Sequence, residues 1–388
     1  MNDRPTLFPV AEFHGRVEGL QRRLAQAGQD ALLLTSAADI FYVTGFLTRF
    51  WESPARPWFL LVPAKGAPVA VIPAIGRDLM ERTWITDIRM WDAPDPRDDG
   101  ISLLADAISE HVPPDGLLGV PMGLETSLRM PLADYHRLLD RIAPRRPADA
   151  TDIIQRVREV KSEAEVDRIR LTCAIASEAF DAVPAIVNRA PTLDAVFRGF
   201  QSALLDAGAD WVSYTAGAAG AGGYGDVISP AGPQPLSPGD VLMLDTGAVR
   251  DGYFCDFDRN FSIGPVADET RQAHDALHAA TDRLIDDLRP GMLACDAHRQ
   301  LCAALELRGM RPGGGRLGHG LGVTLTEWPS FTDHDQTPLV AGMVLTIEPS
   351  VVLSSGRILV HEENVVLRPD GPELLSPRAP GEMVEIPL

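Results

Sequence analysis

Apolar and polar positions along this chain follow two rhythms, and the places where they change predict its elements. "AEFHGRVEGLQRRLAQAG" sets Val17, Leu20 and Leu24 at helical spacing and stops at Gly28, which predicts an amphipathic helix. "DALLLTS" is a short buried strand, "FLLVPAKGAPVAVIP" a hairpin and "SLLADAISEHV" another helix. That alternation predicts a small α/β domain. A polar connection at "APRRPADATD" follows, and the chain is expected to divide into residues 1–152 and 153–388. Beyond it, "KSEAEVDRIRLTCAIASEAFDAVPAIV" is a long helix whose start carries a capping-box pair, Ser162 with Glu165. Paired strands, helices near 268–308 and further strands complete the second part. Strands in hairpins with segregated helices predict an α+β fold rather than a doubly wound sheet. The glycine-rich stretch "AGAAGAGGYGD" lacks the GxxxxGK[ST] pattern and is expected to be a loop, not a phosphate cradle.

Composition narrows the function classes. With a formal net charge of −19, no nucleic-acid partner bound through a basic surface is expected. No run is expected to be long and clean enough to span a bilayer, and "MNDRPTLFPVAEFHGRV" lacks the basic head and apolar stretch of a leader, so no membrane partner is expected. The four cysteines fall in no CxxC spacing, which suits a reduced, cytoplasmic protein.

The chemistry lies in "VLMLDTGAVRDGYFCDFDRN". Asp245, Asp256 and Asp258 stand in strand-like sequence where a buried sheet favours valine and isoleucine. Burying a carboxylate costs several kcal/mol unless a positive group meets it, so these acids face water or a cation sits among them. Alternation puts Asp256 and Asp258 on one face, and a hairpin across "VRDG" can bring Asp245 to Asp256. Three more segments look similar: "GHGLGV" with His319, "MVLTIEPS" with Glu348 inside a strand, and "RILVHEENVVL" with Glu362 and Glu363. Any one of them alone is an edge strand with a wet face. Four together point to a metal.

The order Asp245, Asp256, His319, Glu348, Glu362 resembles the five metal ligands of the pita-bread metallopeptidases: prolidases, Xaa-Pro aminopeptidases and methionine aminopeptidases. "DTGAVRDGYFCDFDRN" is similar to that family's Asp-x-Gly … Gly-Tyr-x-x-Asp-x-Thr-Arg signature, and "GHGLGV", "GMVLTIEPS" and "HEENVVL" follow in the family's order. "DALLLTSAADIFYVTGF" resembles the creatinase/prolidase N-terminal domain. The resemblance implies a creatinase-like N-terminal domain before a pita-bread catalytic domain, in a homodimer. It also implies two divalent ions per subunit (Mn²⁺, Co²⁺, Zn²⁺ or Fe²⁺). Asp245 would hold one ion and His319 and Glu348 the other, with Asp256 and Glu362 bridging. Glu348 would be the proton shuttle, and Glu327 and Thr326 catalytic-site positions. Counting back from "RPDG" selects Glu362 over Glu363 as the ligand.

The chain departs from the family at two histidines. Thr326 stands before Glu327 where relatives carry a second histidine, and no histidine lies between His136 and His274. Losing such charge-stabilising donors costs about 3 kcal/mol each. Tyr224, Asp226 and Thr326 are candidates for the vacated space, and packing residues are the other reading. Asp258 replaces a family threonine, either as an additional acid facing the site or as the partner of an arginine. A lyase branch of the family has an acid two residues after the first ligand, where this chain has Gly247. Arg49, Trp51 and Arg56 in "TRFWESPARPWF" are candidates to clamp a substrate carboxylate, or else a buried cluster. The expected activity is hydrolysis of an amide C–N bond in a dipeptide or small amino-acid-derived substrate. Its rivals are another chemistry on the same fold, a lyase or small-amide hydrolase, and a retired peptidase that binds a ligand.

Overall fold

The helical spacing near the N-terminus produces α1 (Val10–Ala27), which buries Phe13, Val17, Leu20 and Leu24 and ends at Gly28. In the computed structural model the residues described are 7–53, 55–228 and 230–388. Residues 1–6 of the N-terminal reading, Pro54 of the arginine–tryptophan stretch and Ser229 of the segment after the glycine run lie outside them. The chain divides into two units, Met1–Arg158 and Glu159–Leu388.

The first unit is one mixed sheet with helices. Strands β1 (Ala31–Leu34), β2 (Phe59–Pro63), β3 (Val69–Pro73), β4 (Asp87–Trp91), β5 (Leu117–Val120) and β6 (Arg146–Asp149) are ordered β4-β3-β2-β1-β5-β6. The predicted hairpin is β2–β3, paired antiparallel, while β1–β5 and β5–β6 run parallel. Helices α2 (Ala37–Thr44), α3 (Arg77–Met80), α4 (Ile101–His111), α5 (Leu132–Ile142) and α6 (Thr151–Arg158) complete it. Leu33, Phe59, Val71, Leu104, Ile108 and Leu138 meet in its core. The division at Arg158 lies beyond the expected boundary at 152, because α6 belongs to this unit. It buries Ile153 and Ile154, and the Val157 carbonyl accepts the Tyr42 hydroxyl at 3.1 Å.

The second unit begins with α7 (Glu163–Asp181), whose Ser162–Glu165 capping box is formed, then α8 (Val183–Arg189) and α9 (Leu193–Asp206). Residues Glu163–Arg189 are, by length and composition, apolar enough to cross a membrane, which corrects the expectation that no run is. Half of its most apolar 18 residues are buried inside the unit, where Val166, Ile169, Cys173 and Phe180 pack. Strands β7 (Trp211–Ala221), β8 (Asp240–Arg250), β9 (Tyr253–Phe254) and β10 (Phe257–Ile263) follow. Then come α10 (Asp268–Asp287), α11 (Ala294–Glu306) and strands β11 (Arg311–Pro312), β12 (His319–Gly320), β13 (Glu327–Ser330), β14 (Val344–Ile347), β15 (Ser350–Val352), β16 (Ile358–Val360), β17 (Glu363–Arg368), β18 (Gly371–Leu374) and β19 (Val384–Ile386).

They form three sheets: β19-β10-β8-β7 with β9 on β8, β13-β12-β14-β17-β18, and β11-β15-β16. Leu277, Leu284, Leu301, Leu345, Ile347 and Val365 tie α10 and α11 to the strands. The glycine-rich stretch is not a loop. Most of it is the second half of β7, paired with β8 as far as Ala221 opposite Asp240. Its small residues serve close packing: a Cβ on Gly220 would fall 1.9 Å from the Arg357 guanidinium.

Candidate metal centre

Two sheets deliver the acids. Strand β8 runs through Asp245 and turns at Asp251 and Gly252, both at positive φ (53° and 81°), the pattern of a two-residue hairpin turn. Register on the return strand puts Asp258, not Asp256, directly opposite Asp245. This corrects the expected pairing, and Asp256 is the diagonal neighbour in the break between β9 and β10. Asn364 fixes that break. Its Oδ1 accepts the Asp256 N–H at 3.0 Å and its Nδ2 donates to the Asp256 carbonyl.

The other donors come from three neighbouring antiparallel strands. His319 starts β12, Glu348 follows the end of β14 and Glu362 precedes β17. Start, end and start of antiparallel neighbours fall on the same sheet edge. Glu348 was expected inside a strand. It lies one residue past β14, with its N–H donating to the Leu317 carbonyl at 3.0 Å. Gly318, at φ 152°, lets the backbone pass, since a Cβ there would lie 2.4 Å from the Thr346 carbonyl oxygen.

Ligand atoms of Asp256, His319 and Glu362 lie within 4.8 Å of one another, and all three residues are buried. His319 Nε2 is 3.3 Å from Asp256 Oδ2 and 3.8 Å from Glu348 Oε2. Its Nδ1 lies 2.7 Å from the Gly320 carbonyl, the arrangement of an N–H donor, which turns the Nε2 lone pair toward the acids. A lone pair facing two carboxylates is repulsive unless a cation or proton lies between.

The electrostatics agree. Burial, then the charges of Asp256 and Glu348, pushes Asp245 well above the usual carboxylate range. Glu362 rises for the same reasons, and burial takes Asp256 up to about 8. Three buried oxygens, Asp245 Oδ1, Asp258 Oδ1 and Glu362 Oε1, have no hydrogen-bond partner among the described residues. Orphaned buried carboxylate oxygens beside an oriented imidazole fit a hard divalent cation.

The remaining sequence candidates lie elsewhere or act otherwise. Glu363 is engaged by Arg259 and Arg378, away from the ligand cluster. Glu327, expected to be catalytic, is engaged by the scaffold. Its Oε2 pairs with buried Lys161 at 2.9 Å, and its Oε1 accepts the Val323 and Thr324 N–H groups. Thr326 does adjoin the site, its hydroxyl accepting Arg316 Nη2 at 3.2 Å. Tyr224, expected to bind substrate, is buried in the scaffold: its hydroxyl donates to Asn260 Oδ1 at 3.0 Å and accepts the Val360 N–H at 2.7 Å. Asp226 is exposed and accepts the Ile228 N–H in a turn.

Within the first unit, Arg49 pairs with Glu52, and Trp51 packs on Trp58 at 5.6 Å with the Arg129 guanidinium over its ring. Arg56 lies 5.4 Å from the Phe50 ring centre. Arg49 and Phe50 are exposed and Trp51 and Arg56 half-buried, so these residues form a partly exposed aromatic–arginine cluster rather than a buried one. Among the described residues no arginine is paired with Asp258, since the Arg259 guanidinium turns to Glu363 and to backbone carbonyls.

Sequence reasoning missed three residues. Arg316 Nε donates to Glu348 Oε1 at 3.3 Å, placing a cation at the cluster. Asn364 clamps Asp256. Tyr214 hydrogen-bonds Asp245, its phenol held above its ordinary pKa by burial and by the nearby acids. The only signal for Arg316 was its place three residues before His319; the other two depend on strand pairing.

The description "Metallopeptidase family M24" matches residues 167–369, and "Creatinase/Prolidase N-terminal domain" matches residues 16–160. The chain is 26% identical over 369 residues to a probable dipeptidase PepE of Mycobacterium tuberculosis, covering 94% of each. It is 24% identical over 260 residues to an Xaa-Pro dipeptidase of Pyrococcus furiosus, 66% of this chain and 73% of that one. The crystal structure of dipeptidase PepE from Mycobacterium ulcerans superposes with a TM-score of 0.84 at 26% identity, over 98% of this chain and all of that one.

Proposed function

The chain belongs to metallopeptidase family M24, with a creatinase-type N-terminal domain before a pita-bread domain, and is a metal-dependent hydrolase; from that premise we propose that it cleaves the amide C–N bond of a dipeptide or small amino-acid-derived substrate, using two divalent ions. The observation that carries this reading is the convergence of Asp256, His319 and Glu362 beside the orphaned oxygens of Asp245 and Glu362. Asp245 would hold one ion, His319 and Glu348 the other, with Asp256 and Glu362 shared. Mn²⁺ suits this oxygen-rich set with one imidazole. When bound, such ions polarise a carbonyl and acidify a water between them.

The protein's own residues divide the remaining work. Glu348 keeps 20% of its side chain exposed, against 8% for Asp256 and 1% for His319, so it faces whatever enters. Its carboxylate takes the proton of the attacking water and returns it to the departing amine nitrogen. Arg316 holds Glu348 through Nε and leaves 36% of its side chain accessible. Its remaining N–H groups can donate to the oxygen of the tetrahedral intermediate or to a substrate carboxylate. A guanidinium thereby supplies positive charge where family relatives carry imidazole. Thr326 fixes the second arm of that guanidinium. Asn364 holds the Asp256 backbone, and Tyr214 donates its phenolic proton to Asp245.

The test joins metal analysis of the purified protein to a screen of Xaa-Pro dipeptides and N-acylated amino acids with Mn²⁺, Co²⁺, Zn²⁺ and Fe²⁺. Two ions per chain and a product pair that gains one water are expected. A protein that takes up none of these ions, or a product carrying a new double bond with no water added, would overturn the reading.

A further inference from the structure

Asp258 is a buried acid that the five-ligand scheme leaves without a task. It stands directly across from Asp245 on the paired strand, so the two side chains share a face with Cβ atoms about 5 Å apart. Only 2% of the residue is exposed. Its Oδ2 accepts Asn260 Nδ2 at 2.8 Å, and the Glu362 backbone N–H also donates to the carboxylate. Asn260 is itself held at Oδ1 by the Tyr224 hydroxyl and through Nδ2 by the Val360 carbonyl at 2.7 Å.

This chain of bonds aims one oxygen of Asp258 at the scaffold and leaves the other, Oδ1, without a partner among the described residues. The nearest strand neighbour, Asp245, also has an orphaned oxygen. The cation next in sequence, Arg259, spends its N–H groups on Glu363 and on the carbonyls of Asp258 and Glu362. A fixed, buried, unpaired carboxylate oxygen opposite another is the arrangement of a ligand pair.

We propose that Asp258 supplies a sixth protein donor to the metal centre, its Oδ1 binding the same ion as Asp245. This rests on the metal-centre reading above. The Asp245 half of the centre, already all oxygen through Asp245, Asp256 and Glu362, would gain a further anionic donor, which favours Mn²⁺ over Zn²⁺ there.

Metal-free protein titrated calorimetrically with Mn²⁺ and, separately, with Zn²⁺ tests this without any substrate. Wild type is expected to bind two Mn²⁺. Asp258→Asn keeps the size of the side chain and removes the anionic donor, and Asp258→Thr serves if the asparagine variant does not fold. Either is expected to weaken one Mn²⁺ site about 10–100-fold, to weaken Zn²⁺ less, and to leave the other site unchanged. Wild-type Mn²⁺ affinity at both sites of the variant overturns the proposal, including when fewer protons are then released on binding, since Asp258 would only have been sharing a proton with Asp245. Failure of wild type to bind any ion removes the metal centre itself, a result separate from failure of the Asp258 assignment alone.

Discussion

Glu362 and Glu363 are neighbours in sequence and buried alike, and their surroundings are opposite. Glu363 accepts Arg259 at 3.1 Å, Arg378 at 3.0 Å, the Ala379 N–H at 2.8 Å and the Ser376 hydroxyl. Every oxygen is met, and two guanidinium groups balance its charge. Glu362 faces Asp245, Asp256, Asp258 and Glu348, with one oxygen unpartnered and its pKa driven up. Lys161 with Glu327 repeats the first pattern. The pair teaches that a buried acid is structural when the protein supplies its counter-charge and functional when it does not. Residue type and burial alone do not tell the two apart.

The contrast breaks most visibly at Asp256. In the proposed scheme Asp256→Ala removes a ligand shared by both ions. Metal analysis and a turnover assay are expected to show the bound ions and the activity lost together, and normal activity after dialysis against chelator would break the assignment. Glu363→Ala should do the reverse. It strands Arg259 and Arg378, costing about 3–5 kcal/mol in a denaturant titration, while the folded fraction still takes up metal. Metal loss without destabilisation would place Glu363 on the functional side of the comparison. Arg316→Ala sharpens the boundary between them, because this arginine is the cation at the cluster. It should lower kcat by about 100-fold, near 3 kcal/mol, with metal content kept and partial rescue by added guanidinium. Loss of metal instead would make Arg316 a scaffold residue like Arg378.

Much of the fold was legible because its signals are local. The spacing of Val17, Leu20 and Leu24, the Ser162–Glu165 box and the β2–β3 hairpin lie within single stretches of chain. The glycine run was not, since its strand character comes from the long pairing with β8 and from Arg357 lying close above Gly220. Tyr224 was a candidate for the space vacated by a family histidine, yet its hydroxyl is consumed by Asn260 and Val360. Arg316, among glycines in "GGGRLGHG", carried no sequence cue of its own.

The amino-acid order by itself supplied the candidate donors, Asp245, Asp256, Asp258, His319, Glu348, Glu362 and Glu363 set among apolar stretches, and it excluded imidazole from two neighbouring positions. Only tertiary structure decided which acid is answered by a guanidinium and which by nothing. Counter-charges arrive from segments a hundred residues away, and a strand register set by the whole sheet chooses the face on which each carboxylate is buried.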